Sequence, residues 1–325
     1  MKLPTFVPGT RASYIATIAA YAATVLIWGT TWLGIKFSLS GLPPTTGAGF
    51  RFIIAGLALY VAALVLRVDL RRHAPPAHLV IVLALTMFGI NYVLTYLAET
   101  HLASGIVAVL FGTLPFFVFA FAHFMVGERA SRRTIAGALL ALGGVATISL
   151  VGDWRGDVLY VLAALVAAAS SGFANVYLKR FADAEPFATL PPAMLLAGFA
   201  MTAGGLALER TDWALALRPQ TIGAVVYLAL GGSALAFYLN HWLLQRIPSG
   251  VMGLSALMIP VLAVAVGTLA GHEIFGARDV IGALLVIGGV WFALSRSNAT
   301  ASGARPAPVA PVPDAAPEDR QLAAS

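Results

Sequence analysis

The sequence predicts an all-α, polytopic membrane protein with ten transmembrane helices arranged as two inverted five-helix repeats. Three observations carry that expectation. Charge is scarce: 20 Lys+Arg and 14 Asp+Glu make up 10% of 325 residues, where a soluble domain carries roughly 25%. The chain is 59% apolar, and its mean hydropathy is +0.87. Too few charges are available to cover a soluble surface. At roughly 20 residues per crossing, the length accommodates about ten spans with short connections. Finally, one stretch of the chain repeats later at a fixed shift.

Taken in order, the apolar segments are 13–36, 46–66, 79–97, 104–126, 134–151, 158–177, 187–208, 221–243, 251–270 and 279–295. Lys2 and Arg11 precede the first segment, as in the n-region of a signal peptide. That segment is too long for an h-region and lacks an obvious small-residue cleavage site, so it reads as a retained span. Short polar breaks separate the segments, such as Ser40-Gly41-Leu42-Pro43-Pro44 and the run from Gly152 to Asp157. Residues 1–12 form an N-terminal tail, 13–151 the first five-helix unit and 158–295 the second. Beyond Arg296 the composition turns to Ala, Pro and Ser, so 296–325 reads as a disordered tail. The sequon Asn298-Ala299-Thr300 falls in that tail and reads as chance.

The positions of the basic residues set the orientation. With the amino terminus placed in the cytoplasm, that side receives Lys2, Arg11, Arg67, Arg71, Arg72, Arg129, Arg132, Arg133, Lys179, Arg180, Arg246, Arg296, Arg305 and Arg320. The opposite side receives only Arg155, Arg210, Arg218 and Arg278. Short cytoplasmic loops are enriched in Lys and Arg, so both termini are expected in the cytoplasm. A miscounted span would scramble this alternation. The formal charge of +6 would suggest nucleic acid in a soluble protein; here it marks membrane orientation, and no nucleic-acid partner is expected.

The repeat joins 104–145 to 249–290 at a shift of 145 residues without a gap. Ser104-Gly105 matches Ser249-Gly250, Pro115 matches Pro260, and Glu128 matches Glu273. Gly137-Ala138-Leu139-Leu140 matches Gly282-Ala283-Leu284-Leu285, and Gly143-Gly144-Val145 matches Gly288-Gly289-Val290. A weaker echo pairs Gly29 and Lys36 with Gly172 and Lys179. Five spans per half is an odd number, so the second copy must lie upside down. The arginines obey this: Arg129, Arg132 and Arg133 follow span four, whereas Arg278 alone follows span nine. Inverted repeats place a substrate site between the halves near the bilayer midplane, with alternating access as the expected mechanism.

At this point the sequence resembles the drug/metabolite transporter superfamily in its EamA branch, over about residues 13–295. Trp28-Gly29, Pro115, Gly127-Glu128, the two glycine-rich matches and their second-half counterparts carry the likeness. It implies a ten-helix fold with a central cavity and the export of small metabolites; amino-acid exporters, aromatic ones included, are prominent members. Many members carry an acidic residue just before the span-nine proline, where this chain has Ile259. Charge-based coupling at that point is therefore not carried over.

Polar residues within spans are functional candidates, because burying them in hydrocarbon is costly. Arg51 lies about six residues into span two; it either snorkels or binds a carbonyl, or it contacts a substrate carboxylate. Lys36 reads as an interfacial anchor. In span three Tyr92 and Tyr96 share a face, with Asn91 and Thr95 one step around it and Glu99 further on. Span eight offers Tyr238, Asn240, His241 and Trp242; span one offers Trp28, Thr31 and Trp32; span six offers Ser170, Ser171 and Asn175. Cavity lining competes here with interfacial and helix-packing roles. Pro115 and Pro260 each free a carbonyl near mid-span, and either hinge a rocking motion or hold a static kink. His123, Glu128 and Glu273 lie near span ends and read as packing, capping or loop-partner residues.

No Asp or Glu occupies a span centre, so downhill movement or exchange is expected rather than carboxylate-driven proton coupling. His241 is the one central group that titrates near neutrality. An intramembrane enzyme is disfavoured. No HExxH, GxSxG or GxGxxG pattern is present, and with no Cys thiolate metal sites and Cys nucleophiles are excluded. No metal or cofactor is expected. The anticipated partners are a small-molecule substrate and the lipid bilayer, a monomer being sufficient. A bacterial inner membrane is the expected location. The remaining alternatives are a multidrug or other metabolite transporter of the same fold, a passive channel and a non-transporting scaffold.

Overall fold

The computed structural model describes residues 11–102, 107, 110–149, 158–181, 183–259, 261–262 and 277–294. Among the described residues every regular element is helical and no strand occurs. Six of the described helices are long and apolar enough to cross a bilayer: α1 (Ser13–Leu39, within the helix Arg11–Leu39), α2 (Pro44–Val65), α3 (Ala77–His101), α6 (Val158–Arg180), α7 (Pro186–Leu208) and α8 (Pro219–Leu244). Between and after them lie α4 (Leu114–Met125), α5 (Arg132–Ser149), α9 (Ser249–Ile259) and α10 (Ala277–Leu294). The helices lie over the apolar segments of the sequence, and several overrun them. α1 continues to Leu39 and α3 to His101, and the hydroxyls of Ser40 and Thr100 at these helix ends donate to the local carbonyls of Phe37 and Leu97.

Local chemistry fixes the ends. Pro44, Pro186 and Pro219 open α2, α7 and α8, where a missing N–H costs nothing. Gly127 closes α4 at φ +72°, a left-handed conformation that suits glycine. The amides of Val126 and Glu128 both return to the Ala122 carbonyl there.

The expected mid-span kink at Pro115 takes another form. The chain turns at 112–113 and α4 begins at Leu114, so Pro115 sits in the first turn of a helix rather than within one. Its missing donor falls where helices have no intrahelical partner to lose, and Thr113 accepts the Phe116 amide at 3.0 Å. Pro260, Glu273 and the tail 296–325 lie outside the described residues.

Two close helix pairs flank the centre. In α5 and α10 a Cβ added to Gly289 would meet the Ala141 nitrogen and the Gly137 carbonyl oxygen at 2.6 Å, so backbones touch where the sequence repeats its glycines. α2 packs on α7 in the same way, and Gly198 faces the Ile53 amide. Glu209, just past α7, accepts from the amides of Thr45 and Thr46 at 2.9 Å and from the Thr46 hydroxyl at 2.8 Å, capping α2. Glu128 does the same for α9 through the Ser249 amide (2.9 Å) and hydroxyl (2.6 Å). Large apolar side chains such as Leu57, Val61, Leu64, Leu139, Leu284 and Trp291 remain exposed on the outside. So much apolar surface is anomalous in water and ordinary against lipid.

Candidate functional site: a central aromatic cavity with an unpaired arginine

α1, α2, α3, α4, α6, α8 and α9 enclose a cavity of roughly 750 Å³, counting its open mouth. Its lining of aromatic rings with a few polar groups suits a small organic molecule. Trp28, Trp32, Tyr92, Phe111 and Phe237 supply rings to its wall. Thr31, Arg51, Asn91, Thr95, Ser171, Asn175, Asn240 and Ser255 supply the polar groups. The rings are packed edge to face: Trp28 lies 5.6 Å from Phe237, and Trp32 lies 6.3 Å from Phe111.

Two of the long helices that bound the cavity, α3 and α8, widen near its level. π-helical turns occupy Ala84–Ile90 in α3 and Leu230–Leu235 in α8. Such turns bond i to i+5 and often occur at functional sites. Here they leave carbonyls for side chains. The Met87 carbonyl accepts from Asn91 Nδ2 at 3.1 Å, the Thr86 carbonyl from Ser170 at 2.8 Å, and the Gly232 carbonyl from Arg51 Nη2 at 3.1 Å.

Arg51 is 1% exposed, and no carboxylate pairs with it among the described residues. Its Nε donates to Ser233 Oγ at 2.6 Å. Nη1 and Nη2 reach the Tyr96 and Tyr92 hydroxyls at 3.5 Å, which is long for a hydrogen bond. The guanidinium also lies 4.7 Å from the Tyr92 ring centroid. Neutral oxygens and a ring face thus hold the cation, and one of its five N–H groups has no acceptor among the described residues. A buried cation without a counter-ion is costly, and an anion entering the cavity relieves that cost.

The residues singled out from the sequence divide clearly. Trp28, Thr31, Trp32, Arg51, Asn91, Tyr92, Asn175 and Asn240 line the cavity. Tyr96 stands behind it, buried against Arg51. Tyr238 packs on Phe187 of α7, Trp242 stacks under Arg246 at 3.7 Å, and His241 is fully buried; none of these three lines the cavity. Lys36 is exposed at the end of α1, as an interfacial anchor would be. Sequence reasoning missed Phe111, Ser233, Phe237 and Ser255. The one signal for Ser233 is the run Gly231-Gly232-Ser233, small and polar in mid-span.

With this geometry established, the chain can be set beside known proteins. The model of the EamA-like transporter family matches residues 15–150 and again 158–295. The chain belongs to that family. It is 29% identical over 261 residues to the uncharacterized inner membrane transporter YedA of Escherichia coli K12, covering 78% of this chain and 82% of that protein. It is 27% identical over 282 residues to the probable terminal-alkyne amino-acid exporter of Streptantibioticus cattleyicolor, covering 83% and 91%. One solved crystal structure superposes with a TM-score of 0.76 at 23% identity, covering 88% of this chain and 98% of that one, a likeness of fold. The protein is thus a membrane transporter of this family, built from apolar transmembrane helices.

Proposed function

We propose that this transporter exports amino acids, or small amphipathic metabolites related to them, by alternating access between two inverted five-helix repeats. The observation that carries the reading is the uncompensated Arg51 cation in an aromatic-walled cavity. The cation takes a substrate carboxylate, and Trp28, Trp32, Tyr92, Phe111 and Phe237 take an apolar side chain. The exporter names among relatives point the same way.

The duplication is supported by the two family matches and by the two π turns, whose starts, 84 and 230, differ by nearly the shift of the sequence repeat. Transport is downhill or by exchange, with both termini cytoplasmic, in an inner membrane. Pro115, at the break that opens α4, is where the first repeat bends.

Counterflow in liposomes tests the function. Unlabelled amino acid inside should accelerate uptake of the labelled amino acid. No stimulation across a panel of amino acids, with stimulation by nucleosides or cationic drugs instead, overturns the amino-acid assignment.

A further inference from the structure

Among the described residues, two polar atoms on the cavity lining are buried without a partner: the Trp28 indole N–H and the Asn240 side-chain oxygen. The state of Asn240 follows from its neighbours. Asn175 Nδ2 donates to the Ser171 carbonyl at 2.9 Å, and a carbonyl can only accept. Asn175 must therefore present its oxygen to Asn240, which donates Nδ2 to it at 2.9 Å. Asn240 in turn is left with its oxygen as the free end. One backbone carbonyl thus fixes the polarity of the whole chain, and neither amide can flip without breaking a bond. Asn91, the other amide in the wall, differs: its oxygen accepts from Thr95 at 3.4 Å and its nitrogen bonds Met87.

We infer that Asn240 Oδ1 is the subsite for a substrate ammonium, with Asn175 as the positioning residue that holds it acceptor-outward. This rests on the amino-acid reading and sharpens it. The cavity is bipolar: α2 offers an unpaired cation and α8 an unpaired acceptor, each wanting the group that the other repels. A zwitterion with a free α-ammonium satisfies both. A deaminated acid leaves the buried acceptor bare, and an amine without a carboxylate leaves Arg51 bare. The hydrogen-bond relay, being continuous, also polarises its terminal oxygen.

The test uses purified full-length protein and three probes of one shape: phenylalanine, phenethylamine and 3-phenylpropionate. Binding is read by thermal shift and competition, and transport by counterflow. Asn240→Leu should weaken the two amine-bearing probes by about tenfold or more, and leave 3-phenylpropionate unchanged. Asn175→Leu, which lets the Asn240 amide turn, should weaken the same two probes by a smaller factor and serves if Asn240→Leu does not fold. Equal loss for all three probes, or no loss for any, overturns the inference. Asn240-dependent amine binding without amino-acid counterflow would uphold this subsite while refuting the export reading. Binding of none of the probes to wild-type protein would refute both.

Discussion

Replacing Arg51 with Gln removes a buried cation and leaves a shorter, neutral amide in its place. In the wild-type protein the guanidinium is held by Ser233 at 2.6 Å, by the Gly232 carbonyl at 3.1 Å and by two phenols at 3.5 Å. None of these partners is charged, so the variant strands neutral oxygens rather than an opposite ion. The cost to folding is that of orphaned neutral groups, roughly 1–3 kcal/mol at most. The cost to substrate is different in kind. A charge-assisted hydrogen bond to a carboxylate contributes about 1.5–3 kcal/mol, which is roughly 10- to 100-fold in half-saturation. Counterflow should therefore show that loss for phenylalanine, and little change for its amide or alcohol analogues, which keep the amine but lack the carboxylate. Arg51→Lys should fall between, since it keeps the charge but not the planar fork. Monodispersity and thermal stability of the variant establish that it is folded. A folded Gln variant that loses carboxylate and neutral analogues equally refutes the carboxylate role and returns Arg51 to a structural bridge between α2 and α8.

Glu209→Gln should lower thermal stability by about 1 kcal/mol, a capping loss held to the low end by water at this half-exposed site. Burial pushes the Glu209 carboxyl up, but the hydrogen bonds from Thr45 and Thr46 outweigh it and hold the group below the usual glutamate range. The wild-type advantage should thus be full above the unfolded value of about 4.3 and vanish as pH falls through the lower folded value, so a pH-independent difference in melting refutes it. Gly289→Ala should destabilise the α5–α10 pair by about 1–3 kcal/mol, whereas Gly288→Ala, with nothing within 4 Å of its added Cβ, should not; equal melting temperatures count against the close approach. Pro115→Ala should slow counterflow at unchanged expression, and a normal rate removes the hinge role.

The π turn in α8 shows why the site was only partly legible. Tyr238, Asn240, His241 and Trp242 lie together in the sequence, and helical spacing leaves open which of them faces inward. The wider turn at Leu230–Leu235 shifts the phase of everything after it. Phe237 and Asn240 then reach the cavity, while Tyr238 meets α7 and Trp242 meets Arg246. A stretch such as Gly231-Gly232-Ser233 hints at irregularity without giving its pitch. Arg51 was legible because a lone charge in an apolar segment is expensive wherever it points.

What the sequence determined alone is what composition and period control: a helical membrane chain, the breaks at Pro and Gly, the repeated glycines that let backbones touch, and an arginine set inside an apolar segment. Those properties are local, since hydrophobic length and backbone conformation are set by residues near one another. Tertiary structure decided the rest. Whether Arg51 found a carboxylate, which end of Asn240 was left free and which aromatic rings formed one wall depend on contacts between helices far apart in the chain. Arg51 and Ser233 are 182 positions apart, and Asn175 and Asn240 are 65 apart. Hydrogen-bond polarity passes through such pairs only once the helices are packed, because the fixed acceptor that orients the relay is a backbone carbonyl on a different helix.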